Sequence, residues 1–268
     1  MQTVKIGGVG FCNTAPLALI AGPCVMESRQ HAIMIALELQ KITKRLGLGF
    51  VYKASFDKAN RTSLHGYRGM DIEDAIHVFE AIGDLGIDCI TDVHETPQCE
   101  IIGPHVSALQ IPALLSRQTD LIRAACATGL PVNIKKGQWM HPEEMHYAAE
   151  KCEHTNVLLT ERGSVFGYHN IVVDMRSLVV MKQTTCPVVF DCTHSVQMPA
   201  SQGASSGGDR TMAQHLAMAA VAVGIAGLFM EVHDDPNNAP CDGPVMQHLN
   251  QVEGILSRLM KIDEVVKQ

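Results

Sequence analysis

The sequence predicts an α/β fold, specifically a (β/α)8 TIM barrel preceded by a short N-terminal hairpin. Three observations carry that expectation. Eight short apolar, β-branched runs alternate with longer stretches of helical pattern, as expected for parallel strands joined by crossover helices. Polar and ionisable residues gather directly after those runs, at what would be the C-terminal face, where barrel enzymes build their sites. The chain is 46% hydrophobic yet only 4% aromatic, which suits helices packed on a buried parallel sheet better than an aromatic-rich sandwich.

In chain order, residues 4–11, with glycines at 7, 8 and 10, read as a small hairpin or strap. Strand runs follow at 17–21, 49–53, 89–93, 108–111, 131–134, 157–160, 188–191 and 227–232. Helical pattern marks, among others, 30–46, 72–85, 121–128 and 213–223. In the first of these, Ile33, Ile35, Ala36, Leu39, Ile42 and Leu46 recur mostly at three- and four-residue steps, as on a buried helical stripe. The Gly/Ser-rich stretch 201–210 is the candidate mobile loop. No linker, charge block or low-complexity tract interrupts the chain, so a single catalytic domain over 1–268 is expected.

The formal charge of −7 argues against nucleic acid or an anionic membrane as a partner and leaves small molecules as the expected ligands. No apolar run reaches transmembrane length and the N-terminus lacks a basic-then-apolar layout; a cytoplasmic location is the expectation. Nine cysteines, an odd number without repeated CxxC spacing, read as thiols rather than a disulfide framework. There is no GxSxG elbow, Walker lysine loop or HExxH pair.

Two constellations carry chemistry. Lys53, Lys58, Arg61, Arg68, Lys136 and Arg162 stand at or just after strand ends. Any one could be a solvated loop charge, but several converging at one barrel face would form a pocket for anionic groups, phosphate above all. Cys24, His194, Glu231 and Asp242 follow the first, seventh and eighth strands. One thiolate, one imidazole and two carboxylates suit a divalent Zn, Fe, Mn or Co ion. Spacing does not single them out, since His233, Asp191 and the other cysteines compete. A Schiff-base lysine, as in a class I aldolase, also stays open on these grounds.

A resemblance narrows these readings. The segments AGPCVMES (21–28), YKASFDKANR (52–61), TDVH (91–94), LQIPA (109–113), QTD (118–120), NIKKG (133–137), TERG (160–163), FGY (166–168), THSVQ (193–197), SGG (206–208) and MEVH (230–233) occur in one order, each at or near a strand end. Together they closely resemble the 3-deoxy-D-manno-octulosonate 8-phosphate synthase family over essentially the whole chain. The resemblance implies condensation of phosphoenolpyruvate with D-arabinose 5-phosphate and water, for lipopolysaccharide sugar biosynthesis, by a cytoplasmic homotetramer. Cys24 in the first-strand motif, where a metal-independent branch has Asn, implies the metal-dependent branch with Cys24, His194, Glu231 and Asp242 as ligands. It implies Lys53, Ser55, Gln110, Lys136 and Arg162 for phosphoenolpyruvate, and Lys58 and Asn60 near the reactive end of the sugar. Asn60, Lys58, Lys136, His194 and Asp242 are the implied catalytic group, and Arg61 with Thr62, beside Asn60, the clamp on the sugar phosphate, lent by a neighbouring subunit. Asp242, in the CDGP segment at 241–244, is the least distinctive ligand, because both branches carry versions of it. The rival is 3-deoxy-D-arabino-heptulosonate 7-phosphate synthase, which uses erythrose 4-phosphate and usually has Lys-Pro-Arg where this chain has KANR at 58–61.

Overall fold

The computed structural model describes residues 1–201 and 206–268. The chain opens with an antiparallel hairpin, β1 (Val4–Ile6) and β2 (Val9–Phe11). Seven parallel strands follow: β3 (Ala18–Gly22), β4 (Gly49–Lys53), β5 (Cys89–Asp92), β6 (Ala108–Ile111), β7 (Val132–Lys135), β8 (Val157–Glu161) and β9 (Val188–Asp191). A short antiparallel ribbon of β10 (Gln197–Met198) and β11 (Gly207–Gly208) intervenes before the eighth barrel strand, β12 (Gly227–His233). Because β12 pairs in parallel with both β9 and β3, the sheet closes on itself. All eight expected runs are strands, within one residue at either end. The last, β13 (Gln247–His248), adds to the C-terminal tip of β12. Of the expected loop at 201–210, residues 202–205 lie outside the described residues.

Among the described residues, eight helices surround the barrel: α1 (Arg29–Leu46), α2 (Ile72–Gly83), α3 (Thr96–Ile102), α4 (Thr119–Ala127), α5 (Met145–Glu150), α6 (Arg176–Lys182), α7 (Arg210–Val223) and α8 (Val252–Val266). At the start of α1 the Ser28 side chain accepts from the His31 backbone N–H, and Gly47, at φ 69°, ends it, a left-handed cap that glycine adopts without Cβ strain. Its buried face carries Ala32, Ile35, Ala36, Leu39 and Ile42. Helices α3, α5 and α6, at six or seven residues each, are too short to show a 3.6-residue period. No helix among the described residues is long and apolar enough to cross a membrane.

Side chains alternate across each strand, and that alternation builds the site. One cluster fills the barrel interior and includes Ile20, Val51, Ile90, Leu158, Val189 and Phe229, with Val4, Ile6 and Phe11 of the hairpin packed into it. The hairpin therefore caps the N-terminal end with apolar side chains. Two residues further along the same strands, on the same face, stand Gly22, Lys53, Asp92, Thr160, Asp191 and Glu231, so an apolar layer supports a polar ring at the C-terminal mouth. The larger apolar cluster, with Leu19, Tyr52, Leu109, Ile134, Leu159 and Phe190, lies between strands and helices.

The cysteines do not all follow the expectation of free thiols. Cys126, near the end of α4, and Cys152, just past α5, pair as a disulfide with Cα atoms 5.6 Å apart. Their sequence separation of 26 residues gives no local motif, and only the packing of neighbouring βα units brings them together. Six of the seven free cysteines are buried.

Gly22 lets β3 lie close to β4: a Cβ there would stand 2.1 Å from the Lys53 carbonyl oxygen. Gly22→Ala should cost ~1–3 kcal/mol through overpacking, read as a lower urea midpoint. An unchanged midpoint would contradict this account of the β3–β4 junction.

Candidate active site

Lys53 and Asp92 of the polar ring reach a cavity of about 490 Å³ at the C-terminal mouth. Five cationic side chains line it, Lys53, Lys58, Arg61, Lys135 and Arg162, with Asn60, Thr62, Gln110, His194 and Gln197 among them and only Asp92 and Asp242 as carboxylates. Such a wall favours a ligand with more than one anionic group.

Several buried charges are compensated from another strand: Lys53 by Asp92 of β5 and Lys135 by Asp191 of β9. Lys53 Nζ donates to Ser55 Oγ at 2.8 Å and lies 3.2 Å from Asp92 Oδ2. Ser55 Oγ, which also accepts from Lys58 Nζ at 3.2 Å, donates to Asp92. Burial opposes the Asp92 charge, yet Lys53, Lys58, His94 and Lys135 outweigh it and hold the carboxyl well below the usual range. Lys135 Nζ lies 2.6 Å from Asp191 Oδ2 and 3.7 Å from the Phe229 ring centroid; burial, reinforced by Lys53, still pushes its pKa down despite Asp191. Lys58 goes the other way. Burial works against its charge, but Cys24, Glu231, Cys241 and Asp242 together raise its pKa well above the ordinary lysine value.

Glu231 is the exception to this compensation. It is 0% exposed, and neither of its carboxylate oxygens has a hydrogen-bond partner among the described residues. The nearest side-chain nitrogens are His194 Nε2 at 3.6 Å and Lys53 Nζ at 3.8 Å. An isolated buried carboxylate is expensive, so this one calls for a cation. The neighbouring donors suit a metal. His194 Nδ1 meets Asp191 Oδ2 at 2.7 Å, which assigns the ring proton to Nδ1 and leaves Nε2 toward Glu231 and, at 3.8 Å, Asp242. Cys24 Sγ lies 3.0 Å from Asp242 Oδ2. Two groups of ligand atoms, His194/Glu231/Asp242 and Cys24/Cys241/Asp242, each fall within 4.8 Å and share Asp242. Asp242 has φ 52°, the left-handed region, which aspartate adopts more readily than most non-glycine residues. Sulfur, imidazole and carboxylate donors around one buried carboxylate without a hydrogen bond fit a divalent transition ion.

The competing ligands are otherwise engaged. His233 Nε2 meets Glu27 Oε1 at 2.7 Å while its Nδ1 accepts the Asp235 backbone N–H. Asp191 is taken up by Lys135, His194 and the backbone N–H groups of Thr193 and His194.

Comparison with known proteins places the chain. A family model described as the DAHP synthetase I family matches residues 3–268. The chain belongs to this family. Among curated relatives, a 2-dehydro-3-deoxyphosphooctonate aldolase from Chelativorans sp. (strain BNC1) is 53% identical over 268 residues, covering 98% of this chain and 97% of its own. Proteins of the same name from Brucella ovis (strain ATCC 25840 / 63/290 / NCTC 10512) and Brucella abortus (strain S19) are 52% and 51% identical over 270 residues, covering 99% of this chain and 98% of their own.

In this member of the DAHP synthetase I family, the residues singled out from sequence converge, with two differences. Lys136 does not line the cavity. Its Nζ turns to the carbonyl oxygens of Gly137, Met140 and Gly163, to Ser164 Oγ and, at 3.6 Å, to Glu161. The strand alternation explains why: Asn133 and Lys135 share the inward face of β7, and Lys136 has the opposite parity. Lys135 is the cationic wall residue from this segment. Arg61 and Thr62 line the cavity with the other matched residues. Arg68 stays at the surface, paired with Asp57 at 2.9 Å. Asn133, Thr160, Gln197 and Cys241 are not among the site residues expected from sequence; the inward parity of β7 and β8 marks the first two.

The depressed carboxyls make stability depend on pH. For Asp191, burial opposes the charge, but His194 and Lys135 outweigh it and hold the group below the usual range. The stabilisation is therefore present above the ordinary carboxylate value of about 4 and lost as pH falls through the lower folded-state value. Asp191→Asn should cost ~3–5 kcal/mol at pH 6, since it strands Lys135, and then lose less than the wild type between pH 6 and pH 3. Urea unfolding at the two pH values measures this; equal acid losses in the two proteins would contradict it.

Proposed function

We propose that the chain condenses phosphoenolpyruvate with D-arabinose 5-phosphate and water, giving 3-deoxy-D-manno-octulosonate 8-phosphate and phosphate. The observation that carries this reading is a cavity with five cationic side chains beside one buried carboxylate that has no hydrogen-bond partner among the described residues, in a chain about half identical, end to end, to relatives named for a deoxyphosphooctonate. Two phosphoryl groups and one carboxylate need several cations, and an aldehyde that must become an alkoxide needs a further electrophile. The heptulosonate alternative is not favoured, given the names of those relatives and the KANR segment at 58–61.

In this scheme Lys53, Lys135 and Arg162, with Ser55 and Gln110, bind the phosphate and carboxylate of phosphoenolpyruvate. Asn60, Arg61 and Thr62 take the sugar phosphate. Lys58, kept protonated by its acidic neighbours, meets the negative charge that grows on the aldehyde oxygen as C3 of phosphoenolpyruvate attacks. Water then adds at C2 and phosphate leaves. Cys24, His194, Glu231 and Asp242 would hold a divalent ion, whose contribution is to orient and polarise the aldehyde. Lys136 acts from behind the wall, fixing the loop that carries Arg162. A cytoplasmic homotetramer feeding lipopolysaccharide synthesis belongs to the same proposal.

Phosphate release from phosphoenolpyruvate should depend on arabinose 5-phosphate, stop in strong chelator, and return with a divalent transition ion. Release with erythrose 4-phosphate alone would overturn the sugar assignment. Full activity in chelator, with no metal by elemental analysis, would overturn the metal assignment.

A further inference from the structure

We infer that Asn133 and Thr160 are positioning residues that hold the Gln110 amide with its N–H side toward the floor of the cavity. Neither lines the cavity and both are 0% exposed. They end a hydrogen-bonded rail that takes one polar side chain from each of five consecutive stations, from the β4 tip to β8. Thr160 Oγ1 donates to Asn133 Oδ1 at 2.6 Å. Asn133 Nδ2 donates to Gln110 Oε1 at 2.9 Å. Gln110 Nε2 donates to Asp92, whose other oxygen accepts from Ser55.

The direction of every bond follows from its ends. Asp92, held ionised by its lysines, can only accept, so Gln110 must turn its NH2 toward it and its carbonyl toward Asn133. The Asn133 carbonyl is then free for the one remaining donor, the Thr160 hydroxyl. A carboxamide flips at little cost unless both its ends are engaged by groups of fixed polarity, and Thr160 is what fixes the far end. With the rail intact, Gln110 keeps one N–H beyond the one given to Asp92, and an anion needs a donor there. With the amide reversed, a carbonyl oxygen would face both Asp92 and the anion.

The inference rests on the reading of Gln110 as a phosphoenolpyruvate contact, and the test separates the two. Steady-state kinetics with metal-replete enzyme would compare Thr160→Val, Thr160→Ser, Asn133→Leu, Gln110→Ala and the Thr160→Val/Gln110→Ala double variant. Thr160→Val, which keeps the shape and deletes the donor, should raise the KM for phosphoenolpyruvate about tenfold with kcat and the KM for the sugar little changed. Thr160→Ser should restore it, and Asn133→Leu should repeat the effect, guarding against one variant folding poorly. Once Gln110 is Ala, Thr160→Val should add nothing further. Additive effects of Thr160→Val and Gln110→Ala, or an unchanged KM in both Thr160→Val and Asn133→Leu, would overturn the positioning role. An unchanged KM in Gln110→Ala would overturn the phosphoenolpyruvate reading of Gln110, and the inference with it.

Discussion

An ionised group removed from water must find its compensation inside the protein, and at the mouth of this barrel that requirement falls on many side chains at once. Lys53, Asp92, Lys135, Asp191 and Glu231 are each at least nine-tenths buried. Truncating one member of such a pair costs far more than the pair adds over an apolar substitute. The arrangement is therefore interlocked: Asp92 answers Lys53, and Asp191 answers Lys135 and His194. Neither carboxylate oxygen of Glu231 has a hydrogen-bond partner among the described residues, and the sulfur, imidazole and carboxylate donors beside it suit a divalent cation.

The barrel meets this requirement by simple geometry. Because inward positions recur every second residue, a strand that places an apolar residue in the barrel core places its polar residue one layer higher. Val51 leads to Lys53, Ile90 to Asp92, Val189 to Asp191 and Phe229 to Glu231. Charges distant in sequence become neighbours without any loop having to reach. Phe229 also gives Lys135 an aromatic face to lie on, so the apolar layer contributes to the electrostatics above it.

Much of this was legible in the sequence. Parallel strands buried on both faces read as continuous apolar runs, so their number and ends could be set closely, and most site residues follow from standing at those ends. What escaped has physical reasons. Lys135 and Lys136 are adjacent and chemically identical, and only the inward parity of β7, with Asn133 as its marker, separates them. Short helices such as α5 carry no period. Cys126 and Cys152 meet through packing between successive βα units, which no spacing encodes. Glu231 could be suspected as a ligand, but the lack of a hydrogen-bond partner for its carboxylate among the described residues is a three-dimensional fact. Tautomers such as that of His194 likewise depend on a neighbour, Asp191, whose role is set by Lys135.

The central claim is that Glu231 and its neighbours hold a divalent ion through a thiolate. Loading the protein with Co²⁺ and recording its absorption spectrum tests this most directly, because sulfur bound to cobalt gives an intense near-ultraviolet charge-transfer band that oxygen and nitrogen ligands alone do not. The account predicts one tightly held cobalt per chain with that band, loss of the band with retention of weaker binding in Cys24→Ser, and loss of tight binding in Glu231→Gln. Failure of the wild type to retain cobalt, or an unchanged spectrum in Cys24→Ser, would contradict it.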